Sequence, residues 1–327
     1  MYYEQPYSIS QPIPSSAYRR VRPVNVRPNR TSRFILFCAI GICGLIVVAV
    51  LISLVVLYFV RYRDAIRDHS PYPDFICSQR PCGCPNYHHG RDWNEKQVLP
   101  STYPWLVVLT ERYRRDSFCS GFLIASNAIL TAAHCLQNRN PYEIQIVTRT
   151  DQFEDERYDI DQWFIHPEYS FNSTIHLNDI AVIRIKSLFS SHLRPCCLPS
   201  IQTSIYPRTK TKAVTSSWTA FNNEQSLIVE HVVVPIVDQR NAQCRRSIID
   251  ANRQLCAGDD RLSSERCFSD SGSPLVIVEY DEYNQGHFVA TGIVSYGNDQ
   301  CRSSLSNGVY TRVGFYLSWI QYTLSIF

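Results

Sequence analysis

Residues 267–274 read Cys267-Phe268-Ser269-Asp270-Ser271-Gly272-Ser273-Pro274, a serine set between turn-forming residues and beside an acid. Alone, such a string is an ordinary turn. Two others upstream change its meaning. Leu130-Thr131-Ala132-Ala133-His134-Cys135 surrounds a histidine with small residues that let the ring sit close to packed backbone, and a Cys119–Cys135 link can clip that segment down. Asn178-Asp179-Ile180-Ala181-Val182 puts an acid at the mouth of an apolar strand, buried and available to orient an imidazole. A lone histidine is usually structural and an Asp before a strand is commonly a cap. Together, in the order His, Asp, Ser, they supply what nucleophilic catalysis by serine requires: a hydroxyl, a base to take its proton, and a carboxylate that fixes the base's tautomer.

Outward from these strings the chain consists of short apolar segments, at 105–110, 122–125, 144–147, 180–185, 232–237, 275–278 and 291–295. Turn residues separate them, an all-β pattern of sandwich or barrel type. The 327 residues, 45% hydrophobic, suit one or two domains rather than a disordered polymer. Thirteen cysteines, most of them well beyond residue 70, imply an oxidising compartment and a disulfide framework. The net charge of +3 selects no partner.

From about Arg91 to Phe327 the chain resembles the trypsin/chymotrypsin-like serine proteases, on the strength of the three strings, and its layout is similar to their type II transmembrane branch. The resemblance implies two packed six-stranded antiparallel β-barrels with a cleft between them, and a short C-terminal helix near 316–322. It implies His134 as general base, Asp179 as orienting acid and Ser271 as nucleophile. The backbone N–H groups of Ser269 and Ser271 become the oxyanion donors. Ser295-Tyr296-Gly297 becomes the segment that pairs with substrate backbone, and Ser295, Gly297 and Gly308 line a specificity pocket whose floor is Glu265, with Arg266 beside it. Glu265 favours Arg or Lys before the scissile bond. Implied disulfides are Cys119–Cys135, Cys244–Cys256 and Cys267–Cys301, and one of Cys196 or Cys197 tethers a stem cysteine. Another common family bridge has both its positions, Ala213 and Ile277, without cysteine. Cys77, Cys82, Cys84, Cys196 and Cys197 then form an odd set, from which one is free or links a second chain. The family's calcium loop is not evident, its first and last carboxylate positions falling on Val147 and Arg157.

The departures from the family pattern cluster. The activating cut follows Arg91, so the new terminus begins Asp92-Trp93-Asn94-Glu95 where active members have Ile-Val-Gly-Gly. Its ammonium would pair with Asp270, and burying Asp92 beside that acid costs several kcal/mol. Ser269 and Ser273 replace glycines of the nucleophile loop, and Ser217 and Thr219 replace glycines flanking Trp218. Two readings follow: a working serine endopeptidase that acts on protein or peptide substrates, or a non-catalytic homologue that binds a protein partner through the old cleft.

The N-terminal third has a different character. Residues 34–60 are an apolar run with Ser53 as the only clearly polar side chain, long enough as a helix to cross a ~30 Å hydrocarbon core. Six arginines precede it (Arg19, Arg20, Arg22, Arg27, Arg30, Arg33) with no acid after Glu4, whereas Arg61, Arg63 and Arg67 are mixed with Asp64 and Asp68. The positive-inside rule places residues 1–33, read as a disordered tail, in the cytoplasm, and everything after 60 outside. The expected organisation is therefore tail 1–33, transmembrane helix 34–60, extracellular stem 61–91 and protease-like domain 92–327, on a single-pass type II protein of the cell membrane. The sequon at Asn172 then lies outside and is a glycosylation site. No cofactor or metal is expected. Cys82-Gly83-Cys84 followed by His88-His89 is better explained by stem disulfides, since consecutive histidines do not easily converge on one ion. Nucleic acid has no support, because the basic cluster is juxtamembrane and lacks interleaved aromatics in a folded surface.

Overall fold

The computed structural model describes residues 41–58, 81–85, 97–113, 117–151, 154–172, 175–200, 206–221, 226–258, 271–296 and 308–326. The chain divides into two units, Met1–Ala65 and Ile66–Phe327. In the first, helix α1 (Gly41–Tyr58) is 18 residues long with a mean hydropathy of 2.8, long and apolar enough to cross a membrane. Within it, Ser53 Oγ donates to Ala49 O at 2.9 Å, so this hydroxyl is satisfied inside the helix.

The second unit is built on antiparallel strands. After the two-residue β1 (Gln97–Val98), strands β2 (Leu106–Glu111), β3 (Ser117–Ala125), β4 (Ala128–Thr131), β5 (Ile144–Arg149) and β6 (Asp155–Ile165) follow. A small hairpin, β7 (Ser170–Asn172) and β8 (Ile175–Leu177), precedes β9 (Ala181–Ile185). The order β2-β3-β4-β9-β6-β5 closes into a six-stranded barrel. Closure removes the exposed edges of these strands and encloses Leu106, Phe122, Leu130, Ile146 and Ile183, each at most 1% exposed.

The C-terminal half comprises β10 (Lys212–Phe221), β11 (Ser226–Pro235), the short helix α2 (Ala242–Ser247), β12 (Gln254–Ala257), β13 (Pro274–Tyr280), β14 (Gly286–Tyr296) and β15 (Gly308–Arg312). Its sheet runs β1-β11-β10-β13-β14-β15-β12. It has seven strands rather than the expected six because β1 adds to β11, through Gln97 opposite Glu230. An isolated bridge from Ile236 to Ala257 draws the run beyond β11 onto β12 and curls the sheet back on itself. The two halves share core: Trp105 of the first lies against Phe288 of the second, ring centroids 5.6 Å apart. Ala213 and Ile277, where the family bridge is missing, are both buried in the second half's apolar cluster, so packing occupies the place of the covalent link. Val147 and Arg157 face each other across β5 and β6 as ladder partners.

Helix α3 (Leu317–Ser325) ends the described chain and buries Leu317, Ile320 and Thr323, one per turn. His166 packs edge-on against Tyr316, just ahead of α3, and at 5.0 Å from the Trp319 ring.

Candidate active site

His134 sits in a single 3-10 turn, Ala133–Cys135, that follows β4. Ala132 and Ala133 are fully buried, which a larger side chain at either position would prevent. The Cys119–Cys135 disulfide pins the turn to β3. Asp179 is held by a tighter device. Asn178, with φ of 55°, takes the left-handed conformation that asparagine tolerates, and Ile180 N–H donates back to Asn178 O at 2.8 Å. The Asn178 side chain is fixed in turn, donating to Glu168 O and accepting from Tyr316 Oη and Arg253.

This bend turns the Asp179 carboxylate inward, with no exposure, onto three donors. Oδ1 accepts the His134 backbone N–H at 2.9 Å, and Oδ2 accepts His134 Nδ1–H at 2.8 Å. Ser295 Oγ also donates to Oδ2. A carboxylate only accepts, so the proton of the His134 ring resides on Nδ1 and its Nε2 lone pair faces away from Asp179. Thr311 Oγ1 secures the Asp179 main-chain oxygen at 2.8 Å. Ser295 was expected among the pocket residues. Ser295 is 2% exposed and its hydroxyl is turned to Asp179.

The serine turn docks onto the first barrel through backbone. Ser120 N–H donates to Ser271 O at 2.8 Å, and Gly272 N–H to Val294 O at 2.9 Å. Gly272 has φ of +87°, and a Cβ there would lie 2.1 Å from Ser120 O, so no other residue fits the bend. Half-buried Ser271 and the His134 ring meet at one sulfur: Cys135 Sγ is 3.7 Å from Ser271 O and 3.8 Å from His134 Nε2. Histidine, aspartate and serine, 45 and 92 residues apart in sequence, thus converge.

A residue the sequence reading passed over completes the surround. His176 of β8 sits edge-on to His134, ring centroids 5.0 Å apart, with Tyr296 at 5.6 Å on another side. Tyr169 Oη lies 3.1 Å from His176 Nδ1, and burial pushes the Tyr169 phenol well above its usual range. The only signal was position, three residues before Asp179. Gly308 begins β15, where an added Cβ would crowd the Tyr310 ring at 3.1 Å. Asn172 ends β7 at the hairpin turn. Arg91, Asp92, Glu265, Ser269, Asp270, Gly297 and the Cys267–Cys301 pair lie outside the described residues.

Cys244–Cys256 is a disulfide, and Cys82 joins Cys197 across 115 residues. Cys84 is disulfide-bonded too, its partner lying outside the described residues. Cys82 and Cys84 are therefore committed to sulfur and not to a metal. Cys196 is not in a disulfide and is 1% exposed. Of the odd set, Cys196 is therefore a free thiol enclosed in the core.

A closed six-stranded barrel with a second antiparallel sheet, carrying a carboxylate-held histidine and a glycine-backed serine turn, is what the serine-peptidase class would supply. The chain belongs to the Trypsin family, whose model matches residues 93–320. It is 32% identical over 240 residues to coagulation factor XII of Cavia porcellus, covering 68% of this chain and 39% of that protein. Against the venom serine protease Bi-VSP of Bombus ignitus it is 30% identical, covering 72% of this chain and 69% of the relative. Chymotrypsin-C of Bos taurus is 28% identical over 78% of this chain and 98% of its own length. The chain thus spans well under half of the factor XII length, and most of the two others.

Proposed function

We propose that the chain is a membrane-anchored serine endopeptidase. His134 acts as general base, Asp179 orients it and Ser271 attacks the scissile carbonyl. The observation that supports this reading is the three-donor clamp on Asp179, which fixes the His134 ring through its Nδ1–H. In the proposed cycle Nε2 takes the Ser271 hydroxyl proton as Oγ bonds to the carbonyl carbon, and returns it to the leaving amine. Water then releases the acyl group by the same route. Backbone N–H groups of Ser269 and Ser271 stabilise the oxyanion, and Glu265 favours Arg or Lys before the cut. A peptide library cleaved without Arg/Lys enrichment would remove that preference.

Helix α1 supports a single membrane span, and the arginine bias of residues 1–33 supports a type II orientation with the peptidase outside. A glycosidase-sensitive mobility shift that disappears in Asn172→Gln supports the same topology; one that survives the change argues against it.

A second reading, a non-catalytic homologue that binds a protein partner in the cleft, is favoured by Asp92 at the activation terminus and by serines in the nucleophile loop. Ser273 replaces a family glycine, and its fully buried hydroxyl has no hydrogen-bond partner among the described residues. Labelling of the ectodomain by a fluorophosphonate separates the two. Label that requires Ser271, absent in Ser271→Ala, is expected, and stronger after cleavage at Arg91. Folded protein unlabelled in both forms leaves the binding reading.

A further inference from the structure

The last residue of β15 carries a buried charge with no counter-ion of its own. Arg312 is only 3% exposed. Its guanidinium donates to the main-chain oxygens of Tyr206, Ala251 and Gln254, the last two at 3.2 and 3.1 Å. Its Nε has no hydrogen-bond partner among the described residues. Carbonyl groups satisfy N–H donors but bring no net negative charge. Asp250 contributes only its field, and that carboxylate is already paired with Arg253 at 3.2 Å. Desolvation accordingly draws the Arg312 pKa down to about 10, against the opposing pull of Asp250. A charge held this way calls for an anion from outside. Arg312 forms part of the wall of a cavity of about 530 Å³.

Arg208 and Arg240 line the same cavity, so three guanidiniums share its wall with a single carboxylate, Asp238. Backbone pairing brings these runs together: Lys210 N–H donates to Ile236 O at 2.7 Å, and Ile236 N–H to Thr211 O at 2.9 Å. Arg208 is exposed. Arg240 forks onto Asp238 at 2.9 and 3.2 Å, but its side chain is 90% exposed. So local a surface pair is weak enough to be exchanged for a ligand's carboxylate. Pro207, Ile236 and Leu255 give the cavity an apolar side. We propose that it is a docking site for an acidic peptide segment of a protein partner. A Glu or Asp carboxylate of that segment pairs with the arginines, and an adjoining apolar side chain rests on Pro207 and Ile236. A cavity of this size suits a few side chains. A sulfated polysaccharide spreads its charges along a strip and has no use for an apolar wall, so a peptide fits better. The site does not depend on the peptidase reading, since none of its residues belongs to the catalytic constellation.

The test uses the full-length chain carrying Ser271→Ala in uncharged detergent, so that binding is read without turnover. The probe is an end-capped peptide, Gly-Glu-Leu-Gly-Glu-Leu-Gly, with an uncharged fluorophore, followed by fluorescence anisotropy. Versions with Gln for Glu and with Ser for Leu are run beside it. The parent is expected to bind the acidic peptide saturably and at least about tenfold more tightly than the Gln version. Exchange of Leu for Ser should cost about fivefold. The double variant Arg208→Ala, Arg240→Ala changes only surface side chains, and is expected to weaken the acidic peptide by at least about tenfold. Arg312→Lys keeps the charge but loses the planar fork, and should weaken it about threefold. Thermal unfolding establishes that each variant is folded. No binding by the parent, equal binding of the Gln version, or unchanged affinity in the folded double variant overturns the proposal. Heparin that binds through Arg208 and Arg240 where the peptide does not bind also overturns it, in favour of a polyanion surface. Fluorophosphonate labelling of protein with Ser271 intact is scored separately: a chain that binds the peptide yet never labels keeps this site and loses the peptidase.

Discussion

Two single residues carry constraints that can be measured directly. At Gly272 the backbone is left-handed and Ser120 O stands where a Cβ would be, at 2.1 Å. Gly272→Ala therefore meets both a φ penalty and a backbone clash, and should lose on the order of 3 kcal/mol or more in urea unfolding. An unchanged midpoint would mean that the serine turn is not bent against β3. Cys196 sets a different limit. Burial raises its thiol pKa, so the reactive thiolate is scarce as well as enclosed. Native ectodomain treated with iodoacetamide at pH 8 should leave Cys196 unmodified by peptide mapping, and denatured protein should take the label there. Modification of the folded protein would show that this part of the core opens.

At the scale of the elements, His166 links the loop after β6 to the C-terminal segment through Tyr316 and Trp319. Desolvation lowers its pKa below the ordinary 6.5, ahead of the opposing field of Glu168 and the reinforcing one of Arg253. The unfolded chain consequently takes up this proton first as pH drops. The contribution of neutral His166 is complete above about pH 6.5 and declines below it, towards the lower folded-state pKa. Between pH 7 and 5 the melting temperature should fall less steeply in His166→Phe, which keeps an aromatic ring in place, than in the parent. Parallel curves would remove His166 from the account. The elements also show what a sequence reveals and what it hides. All seven apolar runs lie largely in strands, and the C-terminal helix spans 317–325 against an expected 316–322. β6 escaped notice because Asp155-Glu156-Arg157-Tyr158-Asp159 buries only alternate side chains, so charge masks its strand character. β10 hid behind Thr215, Ser216 and Ser217, polar yet buried. His134 and Asp179 were legible because each stands at the end of a short apolar string. His176 and the inward turn of Ser295 depend on which strands lie side by side, and local pattern does not carry that information.

For the molecule as a whole, the decisive contact is made by residues far from the catalytic strings. Segment 81–85 is sewn to β14: Gly83 N–H donates to Pro195 O at 2.8 Å, and Phe288 N–H donates to Gly83 O at 2.9 Å. Gly83 has φ of +71°, and a Cβ there would strike Phe288 O and Cys197 Sγ, so a glycine is needed for so close an approach. The two backbone hydrogen bonds supply only about 2 kcal/mol net, whereas holding a separated fragment at micromolar concentration takes about 8 kcal/mol. The Cys82–Cys197 disulfide is what bridges that difference. If the activating cut falls after Arg91, it separates segment 81–85 from the catalytic half in sequence but not in space, and the proposed membrane anchor stays attached. Protein cleaved at Arg91 is therefore expected to migrate as one species without reductant and as two with it. Cys197→Ser should shed its catalytic half on cleavage, moving it from cell surface to medium. A catalytic half that stays bound in that variant would mean that Cys84 is linked into the peptidase domain as a second tether, and that Cys82–Cys197 is not what retains it.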